Sequence, residues 1–171
     1  MEETLPEVWL RGAQNEFPVL LQPITFALQQ AQEDIEKYTF NFPDELLYER
    51  PGNAASVAFH LQHLSGVLDR MFTYAENMPL NEAQQNWLSS EGKAPEKYTS
   101  AAELVQIFND RIQTSLQKLK TIDIKTLTEP RGVGRKQLPS TVFGLLIHAA
   151  EHTQRHVGQL LVTAKVLVDE K

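Results

Sequence analysis

The sequence predicts an all-α protein, a four-helix bundle with long crossover connections, and three observations carry that prediction. Four segments repeat apolar residues in steps of three and four, the period of a helix with one buried face. Clusters of Pro and Gly that stop helices lie between them. Strand-like alternation is nowhere sustained, and no internal repeat or low-complexity tract appears. With 171 residues and 42% hydrophobic content the chain can bury one sizeable core, so residues 1–171 are expected to form a single domain.

The elements follow in order. Residues 1–17 are an acidic lead-in in which Trp9 and Phe17 are expected to pack a short helical turn on the bundle surface. A first helix, about 20–38, places Ile24, Leu28, Ala31, Ile35 and Tyr38 on one face, and Pro23 sits early enough that its missing N–H costs little. Pro43, Pro51 and Gly52 make the next stretch a connection with one short turn around Asp44–Leu47. A second helix, about 54–77, capped by Asn53 or Ser56, carries Val57, Leu61, Leu64, Leu68 and Met71 or Phe72.

The polar stretch from Leu80 to Thr99 is a long crossover with one helical turn around Trp87. Ser100 and Glu103 then have the spacing of a capping box, which starts a third helix, about 100–120, with Leu104, Phe108, Ile112, Ser115 and Leu119 inward. The loop Thr128–Ser140 combines two glycines, two prolines, Arg131, Arg135 and Lys136. It reads either as an anion cradle ahead of a helix N-terminus or as a solvated basic turn. The last helix, about 140–168, sets Leu145, Ala149, His152, His156, Leu160 and Thr163 within about 90° of arc. Ile147 and Leu161 lie off that stripe, so the helix is apolar on more than one side and a homodimer is expected.

The chemistry is concentrated in the histidines, which fall only at 60, 63, 148, 152 and 156. His152 and His156 stand one turn apart, roughly 6 Å along the axis, close enough for two imidazoles to meet one ion. Two core histidines hydrogen-bonded to neighbours is the plainer reading of that pair. A closed metal site would need a third ligand from another helix. In the second helix His60 lies about 60° from the centre of the apolar stripe and His63 about 120°, so periodicity alone favours His60 as the inward ring. His148 is about 12 Å along the axis from His156, too far for all three late histidines to share an ion, and reads as a pocket or buried structural residue.

Several function classes are excluded. The chain has no cysteine, so any metal site rests on His, Asp or Glu and any thiol must come from a cosubstrate. A net charge of −6 and the absence of a basic stripe argue against nucleic acid. The start MEETLPEVW lacks the basic and apolar regions of a secretory signal, and no apolar run is long enough to span a membrane, so a soluble, cytoplasmic protein is expected. The repeated Glu-x-x-His of a di-iron bundle, the HExxH of a zinc protease and the G-x-S-x-G of a serine hydrolase are all missing.

The segments SVAFHLQHL, Ser56–Leu64, and EHTQRHVGQ, Glu151–Gln159, together resemble the DinB family of bacterial bundle proteins. That family places one His in its second helix and H-x3-H-x-G-Q in its fourth, and the resemblance spans roughly Leu20 to Val168. It implies a divalent metal held by His63, His152 and His156, with His60 moved to a supporting role. Family members commonly carry Asn where this chain has Glu151.

Three imidazoles leave coordination positions open for water or substrate. Zinc is the simplest occupant, while nickel, iron and manganese also accept imidazole. Relatives of the fold include thiol-dependent transferases, so the resemblance implies a metal-dependent enzyme that transfers a low-molecular-weight thiol to a small-molecule electrophile, or a hydrolase. His60, Arg70, Tyr74, His148 and Arg135 are the candidate pocket residues. The alternative is a non-catalytic, stress-related bundle that binds a metal or small molecule.

Overall fold

The computed structural model describes residues 5–94 and 99–169. The first four residues of the acidic lead-in and residues 95–98 of the crossover lie outside them. Helix α1 (Gln22–Tyr38) is entered from a 3-10 turn at Val19–Leu21, with Pro23 in its first turn. Helix α2 (Val57–Ala75) starts where the Ser56 hydroxyl accepts the Phe59 N–H at 3.1 Å. Helices α3 (Glu82–Ser90) and α4 (Ala101–Thr121) each open on a complete capping box, Asn81 with Gln84 and Ser100 with Glu103. Helix α5 (Val142–Asp169) is the longest, at 28 residues.

Four helices form the bundle. α2 and α1 each pack against both α4 and α5, so the order around the core is α1, α4, α2, α5. The expected inward residues are the buried ones: Ile24, Leu28, Ala31 and Ile35 on α1, Val57, Leu61, Leu64, Leu68 and Phe72 on α2, and Leu104, Phe108, Ile112, Ser115 and Leu119 on α4. On α5, Leu145, Ala149, Leu160 and Thr163 are buried, while Phe143, Ile147, Val162 and Val166 face outward. The lead-in contributes the 3-10 turn Val8–Leu10, whose Val8 is buried while Trp9 is 60% exposed, and Phe17 joins the core.

Two connections differ from the sequence reading. The turn expected around Trp87 is the nine-residue α3, tied to α2 by the Gln84 side-chain amide donating to the Thr73 hydroxyl at 2.7 Å. The loop before α5 holds a hairpin, β1 (Pro130–Val133) antiparallel to β2 (Leu138–Thr141), with Pro130 opposite Thr141 and Val133 opposite Leu138. Its turn is closed by Gly134 and Gln137, both at positive φ. Four-residue strands containing Pro130 and Pro139 carry no readable alternation, and Pro is tolerated there because a two-stranded hairpin is all edge. The hairpin takes Leu138–Thr141, so α5 begins at Val142 rather than near residue 140. Among the described residues no helix is long and apolar enough to cross a membrane.

Candidate metal centre

The α2–α5 packing brings the two histidine windows together. The ring centroids of His63 and His156 lie 4.6 Å apart, those of His152 and His156 4.6 Å, and those of His63 and His152 5.2 Å. One ring nitrogen from each of these three residues falls within 4.8 Å of the others, all three residues being half-buried. His63 Nε2 and His152 Nε2 are 2.9 Å apart. Tetrahedral zinc with bonds of about 2.0–2.1 Å would set its ligands about 3.3 Å apart, so small ring movements suffice to admit an ion.

The outward nitrogens are partnered differently. His63 Nδ1 lies 2.6 Å from Glu91 Oε2, and because a carboxylate only accepts, the ring donates. His156 Nδ1 meets His60 Nδ1 at 3.0 Å, which leaves His156 Nε2 for the centre. His152 Nδ1 is buried and meets no partner among the described residues. The Phe59 ring stacks on His63 with centroids 5.2 Å apart and planes 11° from parallel, fixing that imidazole from one side.

Burial is the main cause that keeps His60, His152 and His156 neutral. It pushes the His60 pKa down to about 4, helped by charge on His63. It likewise lowers His152 to about 4 and His156 to about 3, with repulsion from His63 and neighbouring cations adding and Glu151 opposing at His152. A neutral imidazole offers a lone pair, which is the form a metal requires. The donor set, the neutrality of His152 and His156 and the close approach of the three nitrogens together fit a divalent transition metal.

Periodicity was right about burial and silent about convergence. His60 is 3% exposed and is the inward ring of α2, yet it faces His156 from behind rather than joining the three nitrogens that approach each other. His148 is not buried: its side chain is 47% exposed and pairs with Glu151 at 2.9 Å. With Glu151 and His152 it forms a second, mostly exposed group of ligand-type side chains, in which Arg155 also holds the Glu151 carboxylate at 2.6 Å.

Arg70 is buried, and its guanidinium binds Glu91 at 2.6 Å. Tyr74 lies about 16 Å along α2 from His63 and, with Arg135, lines a separate cleft against Met78 and Leu88. Sequence reasoning missed Glu91 altogether. The hint available was an acidic residue directly before Gly92, whose φ of 77° marks a turn folding back on the bundle.

A helical bundle with a histidine-lined site between its second and last core helices is the class this fold and site define. The chain belongs to the DinB superfamily, whose model matches residues 27–160. It is similar in fold to a conserved protein from Enterococcus faecalis, at a TM-score of 0.64 and 17% identity, covering 88% of this chain and 98% of that one. A Streptococcus pneumoniae protein is similar at a TM-score of 0.61 and 14% identity, covering 93% of each chain. At such identities the likeness is one of fold alone. No curated protein matches the sequence.

Proposed function

We propose that the protein is a metal-dependent enzyme in which His63, His152 and His156 hold one divalent transition metal, zinc on geometry, between α2 and α5. The observation that supports this most strongly is the approach of three imidazole nitrogens to within 4.8 Å of one another, from helices separated by most of the sequence. Three protein ligands leave coordination open, the arrangement of a reactive rather than a purely structural ion.

When bound, the ion would supply the acidity that brings a coordinated water or thiol to its anionic form near neutral pH. The residues around it have definite tasks. His60 braces the outer nitrogen of His156, and Phe59 walls one side of the site. His148 and Glu151 stand at the exposed end of the cluster, where a small substrate would enter and where a proton could be passed to solvent. Since the chain has no cysteine, a thiol nucleophile comes from a small cosubstrate, and transfer of that thiol to a small-molecule electrophile is the reaction proposed, with hydrolysis as its water-based counterpart.

The test is transfer by the zinc-loaded, untagged protein between several cellular thiols and a chromogenic electrophile. Turnover is expected, with a loss of at least about 100-fold in His156→Ala. A rate unchanged by that substitution removes metal-assisted transfer. One equivalent of metal without turnover on any thiol or water substrate would leave a binding protein instead.

The outward apolar residues of α5, Phe143, Ile147, Val162 and Val166, support a homodimer through that face.

A further inference from the structure

Glu91 immediately follows α3, and its side chain is only 5% exposed. A carboxylate that far from water must be paired, and both of its oxygens are. Oε1 accepts from Arg70 Nη1 at 2.6 Å and Oε2 accepts from His63 Nδ1 at 2.6 Å. The bundle wall is shaped to receive it. A Cβ on Gly66 would collide with Glu91 Oε1 and stand 2.5 Å from Arg70 Nη1 and 2.8 Å from the Trp87 ring. The carboxylate and guanidinium therefore meet over a bare stretch of α2.

The chain on either side of Glu91 is pinned to the same helix. Trp87 Nε1 donates to the Gln62 carbonyl at 2.8 Å, and the Gly92 N–H donates to Gln62 Oε1 at 2.7 Å. Gly92, in the left-handed region, lies over Phe59, where a Cβ would come within 3.0 Å of the ring. Phe59 in turn stacks on His63. Four contacts thus converge to place one carboxylate on one nitrogen of one candidate ligand.

We propose that Glu91 is a positioning residue for the metal centre: it holds His63 with its proton on Nδ1 and its Nε2 lone pair turned toward His152 and His156. This rests on the metal reading above. Arg70 neutralises the carboxylate and fixes its second oxygen, so the ring is oriented without a net negative charge being added beside it. Carboxylates that orient a ligating imidazole in this way typically contribute 10–100-fold to metal affinity.

Zinc affinity, measured on the untagged full chain by competition with a chromophoric chelator, tests the proposal in wild type, Glu91→Gln, His63→Ala and the double variant. Glu91→Gln is expected to bind about 10–100-fold more weakly, with no further loss when His63 is already Ala. An unchanged affinity in Glu91→Gln overturns the proposal. So does an equal loss in both backgrounds, since Glu91 would then act through the fold and not through His63.

Nitrogen-15 NMR of the zinc-free wild-type imidazoles gives a readout that needs no Glu91 variant to fold. The His63 signal, identified by its loss in His63→Ala, is expected to carry its proton on Nδ1, and protonation on Nε2 alone overturns the proposal. If wild type binds no zinc while His63 is Nδ1-protonated, the metal reading fails and the Glu91–His63 positioning stands.

Discussion

At the scale of single residues, burial keeps three of the clustered imidazoles neutral. His60, His152 and His156 have native pKa values of about 4, 4 and 3, against about 6.5 in an unfolded chain. Below pH 6.5 the unfolded state takes up protons that the native state refuses, so stability rises with pH throughout the window from about 3 to 6.5. Zinc-free protein should therefore unfold at a lower urea concentration at pH 5 than at pH 7.5. Equal midpoints would mean that the three rings are not held neutral. His60 separates two meanings of "inward": it is the more buried ring of α2, but its nitrogen is spent on His156, and the less buried His63 reaches the centre. Hydrophobic periodicity measures depth, whereas ligation depends on which nitrogen a neighbour leaves unoccupied.

At the scale of elements, the apolar stripes carry the fold and the histidines ride on them. Leu160 is fully buried on α5, one turn from His156, so Leu160→Asp should abolish folding by placing an unpaired charge in the core. Helical circular dichroism retained in a soluble Leu160→Asp protein would contradict the face assignment. Phe108, fully buried on α4 and away from the site, should cost about 3–5 kcal/mol when changed to Ala, read from denaturant unfolding. His152→Ala, by contrast, should keep the helix content and lose the metal, because its ring lies at the half-buried edge of the core.

These stripes are what a sequence exposes, and α1, α2, α4 and α5 were readable within a few residues at each end. The pieces that escaped have short or non-local causes. The hairpin from Pro130 to Thr141 is held by tight turn geometry over four-residue strands. Helix α3 shows only Ala83, Trp87 and Leu88 as an apolar signal, and its Asn81–Gln84 capping box was there to be read. Glu91 acquires its meaning only from Gly66, Arg70 and His63, residues that the fold brings to it from more than twenty positions away.

At the scale of the whole molecule, an ion bridging α2 and α5 would couple the two helices that make the most extensive contact in the bundle. Ligand that binds only the native state stabilises it by mass action, about 2.7 kcal/mol at 100 times Kd, which for a chain of this size corresponds to about 5–10 °C in Tm. Zinc should raise Tm by that order and a chelator should reverse it; no shift at saturating zinc would remove the ion from the native state. The outward apolar face of α5 predicts a particle of twice the 19.4 kDa chain mass by light scattering, and a monomer at high concentration would refute the dimer. The central claim is that His63, His152 and His156 surround one cation while His60 and His148 do not. Anomalous diffraction at the zinc edge from crystals of untagged, zinc-loaded protein tests it most directly. One peak about 2.1 Å from a ring nitrogen of each of the three residues is predicted; a peak on His148, Glu151 and His152, or none between α2 and α5, would contradict it.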